Sequence, residues 1–131
     1  MQKTLFLFFV LVFCLTAFAT AEDDIAYLAE AISSAFGDAP FVCRVAFGEM
    51  LVNRLDSDRF PDAMPAVLYE LYGDRIPRKK ASESDLRAAA VAYRRLGFSG
   101  GALYAALWKD AENTPLSWRS GVRLYGWYFY M

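Results

Sequence analysis

The sequence of this 131-residue chain contains no histidine, so the commonest general base is absent and carboxylates are the first candidates for transferring a proton. The absence of histidine excludes Ser–His–Asp and Cys–His mechanisms and removes a common metal ligand, so we expect neither a metal ion nor another cofactor. Glu49 is the only ionisable residue in the apolar segment 45–52. A carboxyl group among apolar neighbours can have a raised pKa and act as a general acid. The alternative is a structural role for Glu49, either on an exposed stripe or paired with Arg44 or Arg54.

Two further acidic residues are candidates for acid–base chemistry. Glu30 lies in a segment with helical spacing of apolar residues, where a solvated charge on the helix surface is the alternative interpretation. Asp38 lies in a Gly37-Asp38 turn, where aspartate is common for backbone reasons alone. Glu30 and Glu49 are therefore the stronger catalytic candidates.

Four helices must position these carboxylates. Acidic residues at Asp23-Asp24 and apolar residues at helical spacing predict a first helix that ends before Gly37. The second helix, predicted over residues 41–55, is nearly all apolar in its middle, which is typical of a central helix packed on most of its faces. The third helix is predicted over residues 66–71 behind Pro65, and the fourth helix starts at Ser82 with acidic residues in its first turn.

Two aromatic-rich segments follow the helices. Residues 102–108 and 122–130 are bounded by glycines and predict two strands that pair as an antiparallel ribbon, with residues 109–120 as the connection. The predicted fold class is therefore α+β.

The N-terminal residues predict a secretory signal peptide. Lys3 provides a positive charge, residues 5–18 are almost wholly apolar, and residues 19–21 are small. We expect a signal peptide over residues 1–21 and one domain over residues 22–131, secreted or held in the cell envelope. An uncleaved membrane anchor is the alternative, although the apolar run is shorter than the roughly 20 residues of a membrane span. The net charge of −1 gives no reason to expect nucleic acid as a partner.

Short motifs recur at fixed spacings along most of residues 22–131. They comprise Leu28-Ala29, Ile32, Pro40, Val45-Ala46, Leu51-Val52-Asn53-Arg54, Phe60-Pro61, Val67-Leu68-Tyr69, Gly100-Gly101-Ala102-Leu103-Tyr104 and the aromatic residues 126–130. This arrangement resembles the SleB-type cell wall hydrolases, a spore-cortex-lytic family that cuts peptidoglycan glycan strands. Residues 24–69 match the family pattern without a gap. The resemblance implies a helix-rich, lysozyme-like domain with a small antiparallel β-ribbon near the C-terminus.

The departures from the family pattern concern its chemistry. Ala35 stands where the family has its catalytic glutamate, and Ala39 stands at the glutamate of the G-E-P motif. Arg44 replaces a glutamine, and Tyr128 replaces the histidine of the last strand. Cutting a glycosidic bond requires a carboxylic acid to protonate the leaving oxygen. Because alanine cannot do this, the resemblance implies catalysis reduced by about 10²–10⁴ unless another carboxylate substitutes.

Glu30 and Glu49 are the predicted substitutes. Glu30 points about 140° away from Ala35 on the same helix, although a five-residue gap before Arg44 would align Glu30 with the family glutamate. Glu49 occupies a position where the family has a small apolar residue.

Residues that could bind the substrate are predicted from the same resemblance. Aromatic rings can stack on sugar rings or belong to the core, and the predicted substrate-binding residues are Arg44, Tyr104, Trp108 and Tyr128. The predicted function is a secreted protein of the hydrolase family that acts on or binds peptidoglycan, with weak or lost catalysis. The alternative is an inactive pseudoenzyme that serves as a cell-wall-binding or protein-interaction module. A protein partner and the oligomeric state are left open.

Overall fold

The computed structural model describes residues 2–75, 80–107 and 121–131. Within these ranges four α-helices precede a small sheet, and a single 3₁₀ turn, Gly73–Arg75, follows the third helix. The helices are α1 Gln2–Phe36, α2 Phe41–Leu55, α3 Met64–Tyr72 and α4 Glu83–Tyr93. The helix-rich α+β class predicted from the sequence is confirmed.

The first helix is longer than predicted. α1 runs without a break from Gln2 through Asp23-Asp24 to Phe36, so the predicted helix start at Asp23-Asp24 is wrong. The residues before it, Ala19-Thr20-Ala21, include no glycine or proline that would interrupt a helix. Among the residues that the structure describes, no helix is both long enough and apolar enough to cross a membrane. A signal peptide over residues 1–21 stays a prediction.

The starts of the later helices follow their sequence signals. Pro65 lies in the first turn of α3, where its missing N–H group costs nothing. Ser82 caps α4: its hydroxyl accepts a hydrogen bond from the Asp85 backbone N–H at 3.1 Å, and the Asp85 carboxylate accepts one from the Ser82 N–H at 3.1 Å. This reciprocal pair satisfies two backbone donors at the helix end.

α2 is the central helix, as its composition predicts. All residues from 45 to 52 are buried. Gly48 allows close approach of its neighbours, because a Cβ at this position would lie 2.7 Å from the Ala92 Cβ and 3.2 Å from the Ile32 Cδ1. α1, α2 and α4 therefore pack tightly around Gly48.

In the part of the chain that the structure describes, the sheet has three strands: β1 Tyr104–Leu107, β2 Val122–Leu124 and β3 Trp127–Tyr130. β3 lies between β1 and β2 and pairs antiparallel with both. Tyr125, with φ of 55°, and Gly126 form the turn that divides residues 122–130. The prediction of a two-stranded ribbon is therefore wrong in strand number, because this segment folds back on itself and supplies two strands.

Alternation along β3 gives the sheet two different faces. Phe129 is fully buried, and Trp127 lies on the same side of the strand, with its ring centroid 4.2 Å from that of Phe36 on α1. Tyr128 and Tyr130 point to the other side. One face therefore closes the helical core, and the other carries the rings of Tyr128 and Tyr130.

Candidate functional site

Glu49 lies on α2 and is buried, with 1% of its surface exposed. Its two carboxylate oxygens accept hydrogen bonds from the Ser99 backbone N–H at 2.9 Å and the Gly97 backbone N–H at 3.0 Å. The partners are thus backbone groups and not the arginines considered from the sequence. Two N–H donors satisfy a buried carboxylate, so this arrangement holds the segment after α4 against α2. A catalytic role for Glu49 stays a prediction.

Asn53 and Arg54 continue the same attachment one turn further along α2. The Asn53 side-chain amide donates to the Ala102 carbonyl at 3.0 Å, and the Arg54 Nε donates to the Leu103 carbonyl at 2.7 Å. The Glu49 carboxylate accepts hydrogen bonds from backbone N–H groups, whereas the Asn53 and Arg54 side chains donate hydrogen bonds to backbone carbonyls. Together the three side chains fix the path of the chain into β1 at Tyr104.

The Arg54 guanidinium lies beneath an aromatic surface. Its Cζ is 4.7 Å from the Phe60 ring centroid and 5.3 Å from that of Tyr104, which is cation–π geometry. Burial lowers the pKa of Arg54, and the nearby Tyr104 and Glu70 oppose that shift. Arginine remains cationic under these conditions, so Arg54 adds positive charge under the rings.

Three tyrosines form a continuous stack on the outer face of the sheet, which we call the tyrosine face: Tyr104, Tyr128 and Tyr130. The Tyr130 ring is stacked 5.4 Å from Tyr104 and 5.7 Å from Tyr128, centroid to centroid. Tyr128 is buried, and its hydroxyl accepts a hydrogen bond from the Gly121 N–H at 2.7 Å. The more open rings of Tyr104 and Tyr130 line a cavity of about 360 Å³ together with Arg59 and Met131.

The structure therefore brings two of the predicted substrate-binding residues, Tyr104 and Tyr128, into one cluster. Tyr130 and Arg59 were not among the substrate-binding residues predicted from the sequence. Tyr130 lies two residues after Tyr128, so strand alternation alone places both on one face. Trp108 lies outside the described residues.

Arg44 is placed elsewhere, at the junction of α2 and α4. Its guanidinium donates to Asp85 Oδ1 and Ser84 Oγ, both at 2.9 Å, and to the Ala39 carbonyl at 3.1 Å. Burial opposes ionisation of Asp85, but hydrogen bonds from Ser82 and Arg44 outweigh it and lower the pKa of that carboxyl group. Arg44 lines neither of the two cavities described here, and its role in substrate binding stays a prediction.

Ala35, which the sequence resemblance aligns with a catalytic glutamate, is exposed near the end of α1. It lines a second cavity of about 320 Å³, which we call the Ala35 cavity. Its wall is formed by the segment 33–39 and the edge of Trp127. Asp38 is the one carboxylate among the described residues that line this cavity.

The predicted catalytic substitutes do not line the Ala35 cavity. Glu30 is partly exposed on α1 and lines neither cavity, and Glu49 is enclosed by its backbone partners. Within the part of the chain that the structure describes, no group of three or more acidic or cysteine side chains could hold a metal ion.

Comparison with known proteins identifies the architecture. No protein-family model matches the chain, and no curated protein matches it. The solved catalytic domain of the Bacillus cereus SleB protein superposes with a TM-score of 0.64 at 22% sequence identity, covering 82% of this chain and 89% of that one. The chain therefore has the fold of that catalytic domain.

Proposed function

We propose that this protein binds the glycan strands of peptidoglycan and that its cleavage of glycosidic bonds is weak or lost. The observation that carries the proposal is the Ala35 cavity. It lies on a SleB-like fold, and the side chain at the family's glutamate position is a methyl group. A methyl group cannot protonate the leaving oxygen of a glycosidic bond.

The tyrosine face supports the binding part of this proposal. Its cavity of about 360 Å³ is within the range of roughly 300–1,000 Å³ that is typical of small-molecule sites. The faces of Tyr104 and Tyr130 are flat and apolar, with hydroxyl groups at their edges, which suits the mixed apolar and polar surface of a sugar. Such a site can bind a glycan without any catalytic carboxylate.

The second candidate is an inactive pseudoenzyme that serves as a cell-wall-binding or protein-interaction module. The engagement of both Glu49 oxygens by backbone N–H groups favours it, because a carboxylate held in this way is not directed at a substrate. Asp38 is a carboxylate in the Ala35 cavity. The first proposal therefore allows a weak residual cleavage of glycosidic bonds.

Co-sedimentation with purified, insoluble peptidoglycan tests the binding. We expect the wild-type protein to sediment with peptidoglycan and a Tyr104→Leu, Tyr130→Leu double variant to remain largely in the supernatant. An Arg87→Gln variant is the control, because Arg87 is exposed on α4 and pairs only with Glu83 among the described residues. Wild-type protein that stays in the supernatant would refute the proposal.

We also propose that the chain is exported by its N-terminal segment and cleaved after Ala21. The small residues at positions 19–21 and the preceding apolar run support this. Intact-mass measurement of protein recovered from the culture medium should give a chain that begins at Glu22. A chain that retains residues 1–21 and fractionates with membranes would instead support an uncleaved anchor.

A further inference from the structure

The cavity on the tyrosine face has one cationic wall. Tyr104 and Tyr130 supply stacked rings, and Arg59 and Met131 complete the lining among the described residues. No acidic side chain is among the described residues that line this cavity. A ligand there meets both tyrosine rings and a positively charged side chain.

The Arg59 side chain is available to a ligand. Arg59 is exposed, and its backbone N–H donates a hydrogen bond to Ser57 Oγ. Although Asp58 and Asp62 are near it in sequence, its guanidinium forms no hydrogen bond or ion pair with any residue that the structure describes. Arg54 cannot take this role, because its guanidinium is buried and its Nε donates to the Leu103 carbonyl.

We propose that this cavity recognises a sugar that carries a carboxylate on its 3-O substituent, with the sugar ring on Tyr104 and Tyr130 and the carboxylate on Arg59. The inference rests on the proposed binding of peptidoglycan. Of the two sugars that alternate in its glycan strands, we expect the cavity to prefer the muramyl sugar, which carries the 3-O substituent, over the unsubstituted one. A guanidinium presents paired N–H donors that match the two oxygens of a carboxylate. The carboxylate can belong to the lactyl group itself or to the peptide attached to it.

Three soluble probes separate these possibilities. N,N′-diacetylchitobiose has the sugar rings without a carboxylate. N-acetylglucosaminyl-N-acetylmuramic acid has a free lactyl carboxylate, and the same disaccharide with an L-Ala–D-Glu peptide carries its carboxylates on the peptide. Binding of each is measured by titration of ¹⁵N-labelled protein and its chemical-shift changes, for wild type, Arg59→Gln and the control Arg87→Gln.

We expect wild type and Arg87→Gln to bind at least one carboxylate-bearing probe about three- to fivefold more tightly than chitobiose, the range of an exposed ion pair. Arg59→Gln should bind all three probes equally, at the wild-type affinity for chitobiose. A Tyr130→Leu variant should weaken all three, because it removes a ring face. The preferred probe identifies the lactyl or the peptide carboxylate as the ligand.

Equal binding of the three probes by wild type, or an unchanged preference in Arg59→Gln, would overturn the inference. If this occurs while the protein still sediments with peptidoglycan, the proposed function survives and the assignment of the carboxylate fails. If the protein binds neither the probes nor peptidoglycan, both proposals fail.

Discussion

Replacement of Glu49 separates a stabilising role of this carboxylate from a catalytic one. Glu49 is 1% exposed and accepts the backbone N–H groups of Gly97 and Ser99. In Glu49→Gln, the amide oxygen can still accept one of these donors, but the amide nitrogen then faces the other. In Glu49→Ala, both acceptors are removed and a void is left beside α2.

The expected losses of stability depend on which of the two backbone N–H groups can be hydrated once Glu49 is replaced. Ser99 is 1% exposed, so its N–H keeps the glutamine oxygen, while the more exposed Gly97 can be hydrated. Loss of one charge-assisted bond should reduce the free energy of unfolding by about 1–2 kcal/mol in Glu49→Gln. Glu49→Ala leaves the Ser99 donor unsatisfied and removes buried side-chain atoms, for a loss of about 2–5 kcal/mol.

Urea unfolding followed by circular dichroism measures these differences. Glu30→Gln is the matched control, because Glu30 is partly exposed on α1, and its effect should stay within about 0.5 kcal/mol. Equal stability of Glu49→Gln, Glu30→Gln and wild type would refute the structural role. If Glu49→Gln also abolished glycan cleavage at unchanged stability, the prediction that Glu49 is a catalytic acid would be supported instead.

Two further predictions concern the packing and the pH dependence of the fold. Gly48→Val should reduce the free energy of unfolding by at least about 2 kcal/mol, because the valine side chain would meet Ala92 in a packed core. Gly126→Ala is the control and should have little effect, because no atom lies within 4 Å of an added Cβ there. Equal melting temperatures for the two variants would contradict the tight packing around Gly48. The pKa of Asp85 is lower in the folded chain than its ordinary value of 3.8, so its contribution is fully present above that value and is lost as pH falls through the folded pKa. Asp85→Asn should therefore lower stability at pH 7 and flatten the loss of stability between pH 5 and pH 2, and an acid unfolding curve parallel to that of wild type would argue against the pairing with Arg44.

The starts of α3 and α4 could be predicted from the sequence because their signals are local. Pro65 and the Ser82–Asp85 pair act within one turn of the helices they start. The three-stranded sheet was missed because a positive φ at Tyr125 is uncommon for a residue other than glycine. An aromatic run without an internal Asn-Gly or Gly-Gly pair gives no clear signal of a hairpin.

The candidate site could be predicted only in part. Tyr104 and Tyr128 were chosen as aromatic residues, and the register of β1 with β3, which pairs Tyr104 with Tyr130, joins them into one surface. The partners of Glu49 could not be predicted, because they are backbone N–H groups 48 and 50 residues away. Almost every residue has such a group, so the sequence does not show which of them a carboxylate will contact. The bond between Arg44 and Asp85 joins residues 41 positions apart in the chain, so the sequence alone did not reveal it, and the role of Arg44 in substrate binding stays a prediction.

Release of soluble muropeptides from purified peptidoglycan, identified by mass spectrometry, tests the central claim most directly. The comparison is between the wild type, Ala35→Glu, which restores the carboxylate of the family pattern, and Ala35→Gln, which has nearly the same shape without an acid. We expect little or no release by the wild type and Ala35→Gln, and a gain in rate of about 10²–10⁴ for Ala35→Glu, the usual contribution of one catalytic acid or base. Rapid release of anhydro-ended or reducing muropeptides by the wild type, with no gain in Ala35→Glu, would contradict the claim that Ala35 marks a weakened or lost hydrolase.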